Sequence, residues 1–140
     1  MKKVSVLIID DSDIDYYLLS RDLEALDYDI RIMHKANGQE AVDFFTSYQA
    51  NKAQLGEDFP PLIIFLDINM PLMNGLEFLE AYKTLQSDFD LKSTCIMMFT
   101  SSKNPKDIES SLDYDYVSGY LVKGEYTEDD LLNVVNKVAV

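Results

Sequence analysis

The sequence predicts a doubly wound α/β domain, a parallel sheet with helices on both faces. Three observations carry that prediction. Apolar runs recur that are continuous rather than alternating, as in strands buried on both faces. Stretches of helical period separate them, so that strand and helix alternate five times along 140 residues. Carboxylates, a hydroxyl and a lysine stand just past the ends of those runs, where open parallel sheets bind their ligands.

The first strand is read over Val4 to Ile9 and ends on the pair Asp10-Asp11. A helix follows, with Ile14, Leu18, Leu19, Leu23 and Leu26 as its apolar face and Asp13 and Asp15 in its first turn, where acids suit the helix dipole. The break Asp27-Tyr28-Asp29 leads into a weaker strand, Ile30 to His34. Ala41, Phe44, Phe45 and Tyr48 mark the second helix. The polar stretch from Ala50 to Pro61 reads as an extended connection, and Leu62 to Leu66 as the third strand, closed by Asp67. Leu76, Phe78, Leu79 and Tyr82 follow Gly75 at helical spacing. The fourth strand, Cys95 to Phe99, runs into Thr100-Ser101-Ser102. Asn104-Pro105 supplies a cap and a first-turn proline for a helix through Leu112. The fifth strand, Val117 to Val122, is closed by Lys123. Thr127-Glu128-Asp129-Asp130 opens the last helix with a capping-box pattern, and Leu131, Val135 and Val138 form its buried stripe. Five strands and five helices result.

Composition narrows the function. The length is that of one ordinary domain, and 47% hydrophobic residues suffice for a core. A net charge of −13 excludes a nucleic-acid footprint, which needs clustered Lys and Arg, and fits a protein that meets cations or a basic partner surface. Cys95 is the only cysteine, so neither an internal disulfide nor a cysteine-based metal site is available. The apolar run after Met1-Lys2-Lys3 is too short for a signal peptide or a membrane span, and a cytoplasmic setting is expected.

The strand ends bring Asp10, Asp11, Asp67, Thr100 and Lys123 to one crevice: acids to hold a cation, lysine and hydroxyl to hold an anion. Carboxylates without His or Cys favour a hard ion such as Mg²⁺. An EF-hand reading of Asp11-x-Asp13-x-Asp15 fails, because Tyr16 occupies the position that needs glycine. Neither GxxxxGK[ST] nor GxGxxG occurs, which argues against a nucleotide-binding enzyme. His34 stands alone at a strand end and reads as structural, which makes the chain a poor phosphohistidine donor.

Four pieces in order, the pair Asp10-Asp11, LDINMPLMNG (Leu66 to Gly75), FTSS (Phe99 to Ser102) and GYLVKG (Gly119 to Gly124), resemble the receiver domain of two-component response regulators over nearly the whole chain. The resemblance implies a flavodoxin-like fold with strand order 2-1-3-4-5. It implies that Asp67 accepts a phosphoryl group, and that Asp10, Asp11, Asp67 and the Asn69 carbonyl hold Mg²⁺, for which Mn²⁺ can substitute, with Asp10 reaching the ion through water. Lys123 and Thr100 would bind phosphoryl oxygens. Tyr120 would turn inward as Thr100 moves, biasing the surface of the fourth helix, fifth strand and fifth helix. Asn69, Ser101 and Ser102 would govern access and phosphoryl lifetime.

The family commonly has a proline after the lysine, often with a cis peptide; here it is Gly124. The Ala50 to Pro61 connection resembles that of single-domain regulators paired with phytochrome-type kinases. The expectation is one receiver domain over residues 1–140 without an output domain. Its partners would be a histidine kinase or phosphotransfer protein and a downstream protein, with no nucleic acid and no membrane, and it would be a monomer or a phosphorylation-dependent dimer. It would be a signalling module and not an enzyme, its catalysis confined to its own phosphorylation and dephosphorylation. The alternatives are a phosphorylation-independent pseudo-receiver and an aspartate-nucleophile phosphatase or phosphotransferase. The latter, if haloacid-dehalogenase-like, needs an acid two residues past its nucleophile, where Asn69 stands.

Overall fold

The computed structural model describes residues 1–139. The chain runs β1 (Lys3–Ile9), α1 (Asp13–Glu24), β2 (Asp29–Lys35), α2 (Gly38–Thr46), α3 (Tyr48–Leu55), a 3-10 turn (Gly56–Asp58), β3 (Ile63–Leu66), α4 (Gly75–Asp88), β4 (Cys95–Thr100), α5 (Pro105–Leu112), β5 (Val117–Val122) and α6 (Glu128–Val138). The strands form one parallel sheet in the order β2-β1-β3-β4-β5. Strand order reverses between β1 and β3, which places a ligand crevice at their carboxyl ends.

Why the apolar runs are continuous is visible in the packing. Leu7, Ile9, Ile64 and Leu66 face a core completed by Ala41 and Phe45 of α2, by Phe78, Leu79 and Tyr82 of α4, and by Phe59. Val4, Val6, Ile8, Ile63 and Phe65 face the opposite core, with Leu19 and Leu23 of α1 and Leu131 and Val135 of α6. The three inner strands β1, β3 and β4 therefore bury both of their alternating side-chain sets, while the edge strands β2 and β5 are only partly covered. Every fully buried Leu, Ile or Phe contributes roughly 1.5–3 kcal/mol.

The ends of the helices are set by local chemistry. Asn74 and Thr127 cap α4 and α6 in reciprocal capping boxes with Glu77 and Asp130. Ser12 and Asn37 cap α1 and α2 by accepting from Asp15 and Glu40 backbone N–H groups. Asn104 does the same for α5 from Lys106, with Pro105 at its first position.

Two expectations are corrected. Among the described residues there are six α-helices, not five, because most of the Ala50 to Pro61 stretch is helical: α3 and the 3-10 turn occupy it, and only its end is extended. Helix α3 buries none of its residues fully, so it carries no strong apolar stripe; Gly56 ends it at φ 59°. On α1, Leu19 and Leu23 are buried as expected, as is Leu26 just past its end, but Ile14 is 73% exposed and Leu18 is also exposed. Leu18 lies about 100° around the helix from Leu19, which turns it off the sheet.

Candidate functional site

The carboxyl ends of β1, β3, β4 and β5 deliver Asp10, Asp67, Thr100 and Lys123 to one place. Backbone bonds fix each strand end. The Asp10 N–H donates to the Lys35 carbonyl (3.0 Å), that of Asp67 to Ile9 (3.0 Å), and that of Lys123 to Thr100 (2.9 Å). Asp10 is fully buried and Asp67 is 5% exposed, whereas Asp11 is exposed.

The ligand atoms of Asp10, Asp11 and Asp67 all lie within 4.8 Å of one another. Asp10 Oδ1 accepts from the Ser12 N–H (2.9 Å) and Asp67 Oδ1 from the Ile68 N–H (2.8 Å). Asp10 Oδ2 is buried without a hydrogen bond of good geometry among the described residues; its near neighbour is the Lys123 ammonium, 2.8 Å away as an ion pair. The same ammonium lies 2.9 Å from Asp15 Oδ2 and 3.4 Å from Asp67 Oδ2. Burial holds the Asp10 carboxyl above the usual carboxylate range, helped by the nearby Asp67 charge and opposed by Lys123 and the Ser12 N–H. Burial alone would lower Lys123, but its close contacts with Asp10 and Asp15 and the Asp67 charge outweigh it and raise the ammonium above its ordinary value.

This donor set fits a divalent cation. It consists of oxygen atoms only, its buried Asp10 Oδ2 is met only by the Lys123 ammonium, and its acids outnumber that one lysine.

The loop after Asp67 is held by close backbone approach. A Cβ on Gly75 would stand 2.2 Å from the Asp67 carbonyl oxygen, and the Gly75 N–H donates to the Ile68 carbonyl (2.8 Å). Asn69, two residues past Asp67, is exposed. Past β4, Thr100 is fully buried, and its hydroxyl accepts from the Ser102 N–H at 3.3 Å. Ser101 is exposed. The Ser102 hydroxyl donates to Asp107 (2.6 Å), and its carbonyl accepts from the Tyr120 hydroxyl (2.8 Å), so Tyr120 is half-buried and tied to the Thr100 loop. Gly124 takes φ 78°, a conformation closed to proline, so the turn after Lys123 is built differently from an X-Pro turn.

Two residues enter the site that sequence reasoning set aside. His34 approaches the Asp10 carbonyl with Nε2 (2.8 Å) and stacks on Tyr16 at 4.0 Å between centroids. Asp15, assigned only to the helix dipole, reaches Lys123. No local spacing signals this contact, because its two partners stand 108 residues apart.

The family model for the response regulator receiver domain matches residues 6–136. The chain belongs to this family. As a receiver it resembles other members at modest identity. It is 36% identical over 92 residues to a protein-glutamate methylesterase/protein-glutamine glutaminase of Clostridium acetobutylicum, covering 65% of this chain but only 23% of that protein. It is 27% identical over 124 residues to response regulator Rcp1 of Synechocystis, covering 89% of this chain and 79% of Rcp1. Among solved structures, a two-component response regulator from Cytophaga hutchinsonii superposes with a TM-score of 0.79 at 28% identity, over 98% of this receiver and 96% of that chain. The Mn²⁺-bound form of Rcp1 superposes with a TM-score of 0.67 at 25% identity, over 97% and 91%. The receiver thus carries the two-component signalling fold, and an acidic cluster at its switch point.

Proposed function

We propose that this receiver is switched by transfer of a phosphoryl group to Asp67 from a histidine kinase or phosphotransfer protein. The observation that carries the reading is the meeting of Asp67 with Asp10, Asp11 and Lys123, with Thr100 buried at the end of the neighbouring strand β4. An Asp67 oxygen attacks phosphorus, the bond to the donor's imidazole nitrogen breaks, and an aspartyl-phosphate forms. Phosphoryl transfer asks chiefly for positioning and charge stabilisation. Asp10, Asp11, Asp67 and the Asn69 carbonyl would hold Mg²⁺ or Mn²⁺, which when bound offsets the charge that gathers on the phosphoryl oxygens. Lys123 gives one ammonium donor to a phosphoryl oxygen and Thr100 gives its hydroxyl to another, leaving its bond from Ser102.

Movement of Thr100 would loosen the loop to which Tyr120 is tied, so the face of α5, β5 and α6 is where a change at Asp67 would reach a downstream protein. Output by protein contact or by relay of the phosphoryl group fits the acidic surface, as does action in the cytoplasm. No described helix is long and apolar enough to cross a membrane. Asn69 and Ser102 flank the acceptor and would tune the phosphoryl lifetime.

The test is intact mass after incubation with Mg²⁺ and acetyl phosphate. The wild type should gain one phosphoryl group, only with the metal present, and Asp67→Asn should gain none. A folded wild type that stays unmodified with acetyl phosphate and with kinase preparations would make the chain a pseudo-receiver.

A further inference from the structure

The Lys123 ammonium has three donor hydrogens, and three carboxylates surround it. Asp10 at 2.8 Å and Asp67 at 3.4 Å belong to the acidic cluster just described. The third, Asp15 at 2.9 Å, does not: it comes from the first turn of α1, 108 residues away in sequence. Helix α1 needs no such contact to start, since Ser12 caps it and Asp13 already sets an exposed acid at its positive end. Asp15 sits on a fixed support, with its own N–H donating to the Ser12 hydroxyl at 3.2 Å. Lys123 has little room to evade it. Its side chain is 13% exposed, and its ammonium lies 5.6 Å from the centre of the Phe99 ring. The lysine is therefore drawn closer to Asp15 than to the phosphoryl acceptor.

We propose that Asp15 is a positioning residue that acts through Lys123: it shares the ammonium with the phosphoryl site and so limits how tightly that site holds a phosphoryl group. The proposal rests on the receiver reading given above. Two effects point the same way. To serve a phosphoryl oxygen on Asp67, the ammonium must shift its strongest contacts toward Asp67 and stretch its pair with Asp15. The Asp15 carboxylate also contacts the same nitrogen as Asp67, so its charge would repel a phosphoryl anion carried there. Toward a divalent cation the sign is opposite, because Asp15 adds negative charge beside the ligands. Asp15 would thus favour the metal-loaded, unphosphorylated state.

The test uses the full chain and three variants, Asp15→Asn, Asp15→Glu and Asp13→Asn. Beryllofluoride serves as the phosphoryl mimic in saturating Mg²⁺, and Mg²⁺ affinity is measured separately. Asp15→Asn should bind beryllofluoride about fivefold more tightly, the factor that goes with one partly exposed ion pair, and bind Mg²⁺ more weakly. Asp15→Glu, which keeps the charge, should return both toward wild type. Asp13→Asn makes the same charge change on the same helix turn without touching Lys123, and should move each affinity less than about twofold. In metal-free protein, the lysine ammonium NMR signal of Lys123 should shift in Asp15→Asn and stay in place in Asp13→Asn.

Opposite shifts in the two affinities are a signature that loosened packing would not produce. Asp15→Asn with unchanged or weaker beryllofluoride binding, or matched by Asp13→Asn, overturns the proposal while leaving the receiver reading intact. A wild type that binds neither Mg²⁺ nor beryllofluoride overturns the receiver reading, and this inference with it.

Discussion

Asp10 carries the sharpest tension between stability and function at the level of single residues. It is fully buried, one of its oxygens is met only by the Lys123 ammonium, and burial raises its carboxyl above the ordinary value. With the folded value raised, the native state keeps a proton that the unfolded chain has released. Metal-free stability should therefore fall as pH rises from about 4 through the folded-state value of Asp10, and that loss persists at neutral pH. Asp10→Asn removes the buried charge while Lys123 keeps Asp15 and Asp67. It should stabilise the metal-free protein at neutral pH by about 1 kcal/mol and flatten this part of the pH profile, as read from urea melts across pH. Gly75 marks the opposite case, where nothing can be gained. A methyl group there collides with the Asp67 carbonyl backbone, which cannot yield without moving the acceptor itself. Gly75→Ala should cost about 1–3 kcal/mol in urea melts and weaken Mg²⁺ binding together with it.

At the level of elements, legibility followed burial. The inner strands were readable because both of their faces are in a core, so their apolar runs are unbroken, as in Val4 to Ile9, whereas the half-covered edge strand β2 gave the weaker run. Capped helices were readable from Asn104-Pro105 and from Thr127 to Asp130. Helix α3 was not, because Tyr48–Leu55 buries no residue fully, and a helix without a buried stripe leaves no period to detect. Its partly buried Tyr48 packs on Phe59 and Phe89 and its Leu55 on the same core, so tertiary contact at the two ends stands in for amphipathicity along the length. Ile14 and Leu18 were misassigned for the converse reason: they are apolar at near-helical spacing, but on a side of α1 that faces away from the sheet. Because so little of α3 is anchored, its stability must come largely from intrinsic propensity. Ala53, exposed in its middle, gives the test. Ala53→Gly should lower global stability by no more than about 1 kcal/mol, yet measurably speed amide hydrogen exchange in 48–55 while leaving β3 protected. Equal exchange in both segments would mean that α3 opens only with the whole domain.

Across the whole molecule, the parts of the site that could be read were those that topology alone delivers. Strand ends of a parallel sheet meet at the switch point, so Asp10, Asp67, Thr100 and Lys123 followed from the alternation of elements. Asp15 and His34 reach the site through side-chain geometry, which depends on how α1 and β2 are rotated, and no strand-end rule reports that. The convergence concentrates charge in a chain whose net charge is already −13, with three carboxylates around a single ammonium and a fourth, Asp11, beside two of them. Such a site stores repulsion that a bound cation releases, so folding and metal binding are linked. At a Mg²⁺ concentration of about a hundred times its dissociation constant, the linkage stabilises the fold by about 2.7 kcal/mol. Monovalent salt acts on the same repulsion by screening, and it should raise the metal-free urea midpoint while reducing the further gain from Mg²⁺. Asp11→Asn separates the two effects, since Asp11 is exposed and its loss leaves the core untouched. This variant should keep the response to salt and lose most of the response to Mg²⁺. If instead it kept the full Mg²⁺ response, the cation would be acting on the general acidity of the surface, and the cluster at the strand ends would not be the site that holds it.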